Sequence, residues 1–144
     1  MMHWIYMCSF LLLTFGCVKI SAIQLSENLK AHVKNLHMQC QKQTGVSDEV
    51  LQKLQHTIVS EDQTLYCYFH CLLDTVGLID EENNVQLEKL SDIVPEYETI
   101  IKTLVEKCGT KHGADACETA YLTVKCYVEV DAANLNSAFG FLFI

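Results

Sequence analysis

Apolar residues recur every three or four positions along most of the chain, the spacing of helices that bury one face. The first stripe, Leu25, Leu29, Val33 and Leu36, leads to Cys40. Later stripes have the same spacing: Val50, Leu51 and Leu54; Leu65, Phe69, Leu72, Leu73 and Val76; Val85, Leu87, Leu90, Ile93 and Val94; Tyr97, Ile100, Ile101, Leu104 and Val105; Ala116, Ala120, Tyr121, Val124 and Val128. No alternating strand pattern of useful length occurs. The pattern predicts one compact all-α domain of about six short helices.

Polar residues at the starts of the stripes predict where the helices begin. Ser47 suits an N-cap, and "SEDQ" places Gln63 three residues after Ser60, the spacing of a capping box. Asp115 with Glu118 suits the start of the last helix. The expected helix ends are Gly45, Gly77, Pro95 and Gly109.

The N-terminus has the pattern of a secretory signal peptide. Residues 4–18 are almost entirely apolar, and small residues follow at Ser21 and Ala22. The run is shorter than the roughly 20 residues that span a bilayer comfortably. We therefore expect a signal peptide at residues 1–22, a secreted, extracellular domain at residues 23–144, and an apolar C-terminal tail at 127–144. An N-terminal anchor helix is the alternative.

Six cysteines remain after such a cleavage: Cys40, Cys67, Cys71, Cys108, Cys117 and Cys126. An even number in a small secreted chain indicates disulfides, but six cysteines allow 15 pairings. Cys67 and Cys71 are four residues apart on one predicted helix, so their side chains share a face. A bond between them would strain the helix, whereas each can reach a different neighbouring helix.

A zinc site is an alternative use of the same residues. His70 lies beside both thiols, and Cys108 with His112 repeats the four-residue spacing. Zinc needs thiolates, however, and an oxidising secretory route favours disulfides. We therefore predict no metal and no cofactor.

Charge and motif content exclude further classes of function. Acidic residues outnumber basic ones 18 to 10, and every basic residue is Lys. A nucleic-acid partner is therefore not expected, since phosphate binding requires Lys and Arg patches. No catalytic constellation or nucleophile elbow is present, so an enzyme is not expected either.

The cysteine spacing Cys40-x26-Cys67-x3-Cys71-x36-Cys108-x8-Cys117-x8-Cys126 resembles that of the insect odorant-binding proteins, which include the pheromone-binding proteins. The segments "CQKQTGVSDE", "LYCYFHCLLDTVGLID", "VQLEKL" and "KCYVEVD" also resemble that family. The resemblance covers nearly all of the mature chain. It implies three disulfides, Cys40–Cys71, Cys67–Cys117 and Cys108–Cys126, holding the helices around an apolar cavity.

The resemblance also implies a function. The chain would bind a small hydrophobic volatile, an odorant or pheromone, and carry it through aqueous fluid to a membrane odorant receptor, as a monomer or weak homodimer. Two alternatives remain: a carrier of hydrophobic ligands outside olfaction, and an extracellular interaction protein with a filled core.

Family positions carried over to this chain place the ligand-binding wall in the second half of the domain. The implied residues are Leu87, Leu90, Val94, Tyr97, Ile101, Leu104, Val124, Tyr127, Phe139, Phe141 and Phe143. Ordinary core packing is the rival interpretation for each of them. The tail "AFGFLFI" is too apolar to stay free in water, so we expect it to fold back onto the domain or onto another subunit.

Overall fold

The computed structural model describes residues 27–54 and 60–131, and within them the fold is helical. These described residues contain five α-helices, which we number along the chain: α1 Glu27–Thr44, α2 Asp48–Lys53, α3 Gln63–Thr75, α4 Glu98–Cys108 and α5 Ala116–Val130. Two short 3-10 helices, Leu87–Asp92 and Pro95–Tyr97, precede α4. Among the described residues, β pairing is limited to one antiparallel bridge between Ile79 and Val85. The predicted all-α class is confirmed.

Two of the predicted helix starts are confirmed by their hydrogen bonds. The Ser47 hydroxyl accepts from the Val50 amide at 3.3 Å and caps α2. The Asp115 carboxylate accepts from the Glu118 amide at 2.8 Å and caps α5. The Glu118 carboxylate in turn accepts from the Ala114 amide, so the two side chains satisfy donors on both sides of the helix start.

The predicted capping box of Ser60 with Gln63 is wrong. The N-cap of α3 is Asp62, whose carboxylate accepts from the Thr64 amide at 2.8 Å. Ser60 instead accepts from the Asp62 amide through its hydroxyl, one step earlier in the chain. Asp62 is the stronger acceptor because its carboxylate is charged and meets the positive end of the helix dipole.

Two tyrosines hold the backbone of Ser60 from both sides. The Ser60 amide donates to the Tyr121 hydroxyl at 3.0 Å, and its carbonyl accepts from the Tyr66 hydroxyl at 3.0 Å. The two rings stack with their centroids 4.1 Å apart. These two hydrogen bonds fix the backbone of Ser60 in a position from which its side chain does not cap α3.

The segment before Pro95 forms a 3-10 helix, where its apolar spacing alone predicted an ordinary helix. Pro95 lacks an amide donor and forces Val94 out of the helical region, to φ −133° and ψ 71°. The helix does end before Pro95, as predicted. Tyr97 lies just before α4, as its N-cap, and not inside the helix.

The buried apolar residues form two clusters. We call the first the Tyr68 cluster; it fills the space between α1, α2, α3 and α5, and its buried members are Leu36, Cys40, Val46, Leu51, Leu65, Tyr66, Tyr68, Phe69, Cys71, Ala120 and Tyr121. We call the second the Tyr127 cluster; it lies between the Leu87–Asp92 helix, α4 and α5, and its buried members are Val85, Leu87, Ile101, Leu104, Cys108 and Tyr127. Leu73 of α3 packs against both clusters.

The three disulfides have the pairing that the family resemblance implied: Cys40–Cys71, Cys67–Cys117 and Cys108–Cys126. Cys67 and Cys71 bind different partners, so one turn of α3 is fastened to α5 on one side and to α1 on the other. The third bond joins the end of α4 to α5 beside the Tyr127 cluster.

A row of polar side chains on α5 binds the loop that follows α4. The side chains are four residues apart on α5, and together they bond to every second residue of the loop. Thr119 accepts from the Gly113 amide and Thr123 from the Lys111 amide, each at 2.9 Å. Tyr127 donates to the Gly109 carbonyl at 3.4 Å. Four helical residues rise about 6 Å and two extended residues about 6.6 Å, so the two spacings match. This match fixes the loop along α5.

None of the helices within residues 27–54 and 60–131 combines the length and the apolar character that crossing a bilayer requires.

Candidate ligand-binding site

The described structure gathers most of the implied ligand-binding residues in the Tyr127 cluster. Leu87, Ile101, Leu104 and Tyr127 are buried members of that cluster. Three more implied residues, from the segment before α4, are half-buried and pack around them: Leu90, Val94 and Tyr97. One face of α4, one face of α5 and the 3-10 segment therefore meet at a single apolar region.

The edge of this region is formed by the two 3-10 helices. Val94 lies between them and is half-buried, while its neighbour Ile93 is 58% exposed. The apolar region therefore reaches the surface of the described structure at this edge.

Two phenols supply the polar groups of the Tyr127 cluster. Burial raises the pKa of Tyr127 to about 12, and the negative charge of Glu88 adds to the shift. Burial also raises the pKa of Tyr97, and Glu96 contributes in the same direction. Both hydroxyls therefore stay protonated at neutral pH and can donate to an oxygen atom. The bond from Tyr127 to the Gly109 carbonyl is long, at 3.4 Å, so it is weak.

The remaining implied residues lie elsewhere. Val124 is on α5 but packs against the Tyr68 cluster. Residues three apart on an α-helix differ by about 60° around its axis, and this rotation places Val124 on the side of α5 that meets the Tyr68 cluster. Phe139, Phe141 and Phe143 lie outside the described residues, as does most of the predicted tail segment.

Apart from the paired Cys108 and Cys126, five residues of the cluster were not among the implied ligand contacts. They are Val85, Ile100, Val105, Val130 and Leu73. Ile100 and Val105 share the apolar stripe of α4, and Val130 follows Tyr127 by three residues, so helical periodicity could have identified all three. Leu73 could not be identified in this way, because its contact depends on how α3 packs against the other helices.

The disulfides decide against the zinc alternative. Cys67, Cys71 and Cys108 are all oxidised, so they cannot serve as thiolate ligands. Within the described part of the chain, no group of three or more His, Cys, Asp or Glu side chains is arranged to hold a metal ion.

The model of the PBP/GOBP family matches residues 22–130, which include all six paired cysteines and both clusters. The chain belongs to this family of insect odorant-binding proteins. It is 35% identical over 131 residues to general odorant-binding protein 69a of Drosophila melanogaster, and the match covers 90% of this chain and 88% of the relative.

Two solved structures of odorant-binding proteins have similar folds. The medfly protein CcapOBP22/CcapOBP69a is 40% identical, with a TM-score of 0.72, and the match covers 77% of this chain and 97% of the medfly chain. Odorant binding protein 7 of Anopheles gambiae, with four disulfide bridges and in complex with an azo compound, is 31% identical, with a TM-score of 0.73. That match covers 83% of this chain and 97% of the mosquito chain. All three relatives are odorant-binding proteins by name, and the mosquito structure contains a bound azo compound.

Proposed function

We propose that this chain is a secreted carrier for a small hydrophobic odorant or pheromone, and that the Tyr127 cluster forms the wall of its binding site. The observation that supports this most strongly is the convergence of α4, α5 and the 3-10 segment on one apolar region with a half-buried edge. Family membership adds to it, because the Anopheles relative binds a small organic molecule, an azo compound. The carrier would take its ligand through aqueous fluid to a membrane odorant receptor.

The affinity would come mainly from burial of the ligand. Apolar surface removed from water contributes about 25 cal/mol per Å2, so about 300 Å2 supplies a gross 7 to 8 kcal/mol. A micromolar complex corresponds to about 8 kcal/mol, and ordering the partners reduces the net value. Micromolar affinity therefore requires apolar contact area in addition to that of the described residues.

The apolar tail is the natural source of that area. Residues 138–144, "AFGFLFI", would present a sticky surface to water if they stayed free. We propose that Phe139, Phe141 and Phe143 contribute to the wall of the binding site. Val130, in the last turn of α5, already packs against the Tyr127 cluster, so the tail begins beside the proposed site.

The proposal is tested with protein secreted by insect cells that express residues 1–144. The mature N-terminus would be sequenced, and the folded protein titrated with the fluorescent apolar probe N-phenyl-1-naphthylamine at neutral pH. Volatiles of several chemical classes would then compete with the probe. Cleavage near Ala22, saturable micromolar uptake at one site and selective displacement would support the carrier. A folded, fully oxidised protein that takes up no probe would favour the interaction protein with a filled core.

A further inference from the structure

None of the lysines after residue 22 is fully buried. There is no arginine, and every lysine after residue 22 lies within the described residues: Lys30, Lys34, Lys42, Lys53, Lys89, Lys102, Lys107, Lys111 and Lys125. Lys30 and Lys125 are half-buried, and the others are exposed. The Tyr127 cluster consists of aliphatic side chains, a disulfide and two phenols.

The two half-buried lysines already have acidic neighbours. The ammonium group of Lys30 lies 2.9 Å from the Glu27 carboxylate, at the first turn of α1. Lys125 lies 3.9 Å from Glu129 and lines an open surface groove with Lys111 and His112. Although Lys125 adjoins Cys126 in sequence, it belongs to this groove and not to the Tyr127 cluster.

Negative charges act on the two phenols. Glu88 acts on Tyr127 and Glu96 on Tyr97, and each carboxylate adds to the effect of burial in raising the pKa of its tyrosine. The whole chain has a formal net charge of −8. A carboxylate ligand entering this cluster would lose its hydration, find no buried lysine among the described residues to pair with, and be repelled by both glutamates.

A neutral ligand with one oxygen function loses much less hydration energy and is not repelled by the glutamates. The phenol hydroxyls of Tyr97 and Tyr127 can donate to the carbonyl of an ester, aldehyde or ketone, or exchange hydrogen bonds with an alcohol. The long bond between Tyr127 and the Gly109 carbonyl can be replaced at little cost. We infer that the Tyr127 cluster selects neutral ligands with a single oxygen function over carboxylates of the same chain length; this selectivity rests on the carrier function proposed above.

The inference is tested with three ligands that share one hydrocarbon chain. Dodecan-1-ol, methyl dodecanoate and dodecanoic acid would compete with the fluorescent probe at pH 7.5, where the acid is ionised. We expect dodecanoate to bind at least tenfold more weakly than both neutral ligands. The gap should narrow at about pH 5, where much of the acid is protonated, and the alcohol measured at the same pH corrects for changes in the protein.

The possible outcomes separate the two proposals. If dodecanoate binds within threefold of the alcohol at pH 7.5, or more tightly, the selectivity is overturned while the carrier function stands. If none of the three ligands displaces a bound probe, or the folded protein takes up no probe, the carrier function fails and the selectivity fails with it.

A pair of charge variants locates the selectivity in the molecule. Val94→Lys places an ammonium group at the half-buried edge of the cluster, and Ile93→Lys adds the same charge at the exposed neighbouring position. We expect Val94→Lys to raise the affinity for dodecanoate relative to dodecanol at least fivefold, and Ile93→Lys to leave that ratio within twofold. Leu90→Lys is a second edge variant in case Val94→Lys does not fold. Equal effects of the edge and exposed variants, or no effect of either edge variant, would overturn the assignment to this cluster.

Discussion

The Tyr68 hydroxyl lies 2.7 Å from Nδ1 of His37, which joins the centre of α3 to α1 across 31 residues of sequence. Tyr68 is fully buried, and the two rings meet edge to face, with their centroids 5.9 Å apart. A neutral imidazole that carries its proton on Nε2 accepts this bond. A protonated imidazole would instead donate from Nδ1 to the phenol oxygen, and the hydrogen of the buried phenol would then need another acceptor.

We predict that His37 makes the fold less stable in mild acid. Burial lowers the pKa of His37 from its ordinary value of 6.5, and the nearby Asp48 opposes the shift only in part. The unfolded chain therefore takes up this proton first as the pH falls. The contribution of His37 is complete above pH 6.5 and is lost as the pH falls below that value. Urea unfolding at a series of pH values between 7.5 and 5 measures the loss.

Two asparagine variants isolate this contribution. Asparagine places a polar group near the position of Nδ1 but does not titrate, so the free energy of unfolding of His37→Asn should depend less on pH than that of the natural protein. His32→Asn is the matched control, since His32 is an exposed residue of the same helix. Equal slopes for the natural protein and His37→Asn would contradict the prediction.

We predict that the hydroxyl of Thr123 is needed to hold the loop after α4. Thr123 is fully buried, accepts from the Lys111 amide at 2.9 Å and donates to the Thr119 carbonyl at 2.8 Å. Thr123→Val keeps the shape but leaves the Lys111 amide without its acceptor, which should cost about 1–3 kcal/mol in the free energy of unfolding.

Thr123→Ser provides the comparison, because it keeps the hydroxyl and loses only a methyl group worth about 0.8 kcal/mol. Urea denaturation of both variants measures the difference. A serine variant that is less stable than the valine variant would show that packing, and not the hydrogen bond, holds the loop.

How far the sequence predicts this fold depends on whether a feature is local. Helical periodicity identified buried residues of both α4 and α5, Ile101 and Leu104 on the first and Ala120 and Tyr121 on the second, because spacing alone determines which residues share a face. The pairing of Cys67 and Cys71 with different helices also follows from their spacing, although the identity of each partner came only from the family resemblance.

Features that depend on tertiary packing could not be predicted. The sequence alone does not distinguish Thr119 and Thr123 from ordinary polar residues of a helix, because their role depends on the loop that packs against α5. Tyr68 is buried because α1 covers it, and Ser60 is not a helix cap because two distant tyrosines hold its backbone. Among the candidate site residues, Val124 packs with the other cluster for the same kind of reason.

The disulfides should differ in what they contribute. In the chain-entropy account, closing a loop of about 50 residues stabilises the fold by about 4 kcal/mol, and closing one of about 18 residues by about 3 kcal/mol. Those separations belong to Cys67–Cys117 and Cys108–Cys126. Replacing the first pair by alanine should therefore cost more stability, as measured by urea unfolding.

Ligand affinity should follow the opposite order. Cys108 is a buried member of the Tyr127 cluster, so its bond to Cys126 holds α4 and α5 together at the proposed site. Replacing this pair by alanine should weaken binding of the fluorescent probe more than replacing Cys67 and Cys117, with both variants measured under conditions where they are folded. A weaker effect of the Cys108–Cys126 pair would place the site elsewhere.

Two buried leucines distinguish a binding wall from an ordinary core. Leu65 is 0% exposed in the Tyr68 cluster and Leu104 is 2% exposed in the Tyr127 cluster. Truncation of either to alanine removes the same atoms and should cost about 2–5 kcal/mol in the free energy of unfolding.

The two variants should differ in ligand binding, because only Leu104 lies in the proposed wall. We expect Leu104→Ala to weaken probe binding at least fivefold and Leu65→Ala to leave it within twofold, in titrations well below the temperature at which either unfolds. Equal losses of affinity would mean that binding reports overall stability, and a loss confined to Leu65→Ala would move the site to the Tyr68 cluster.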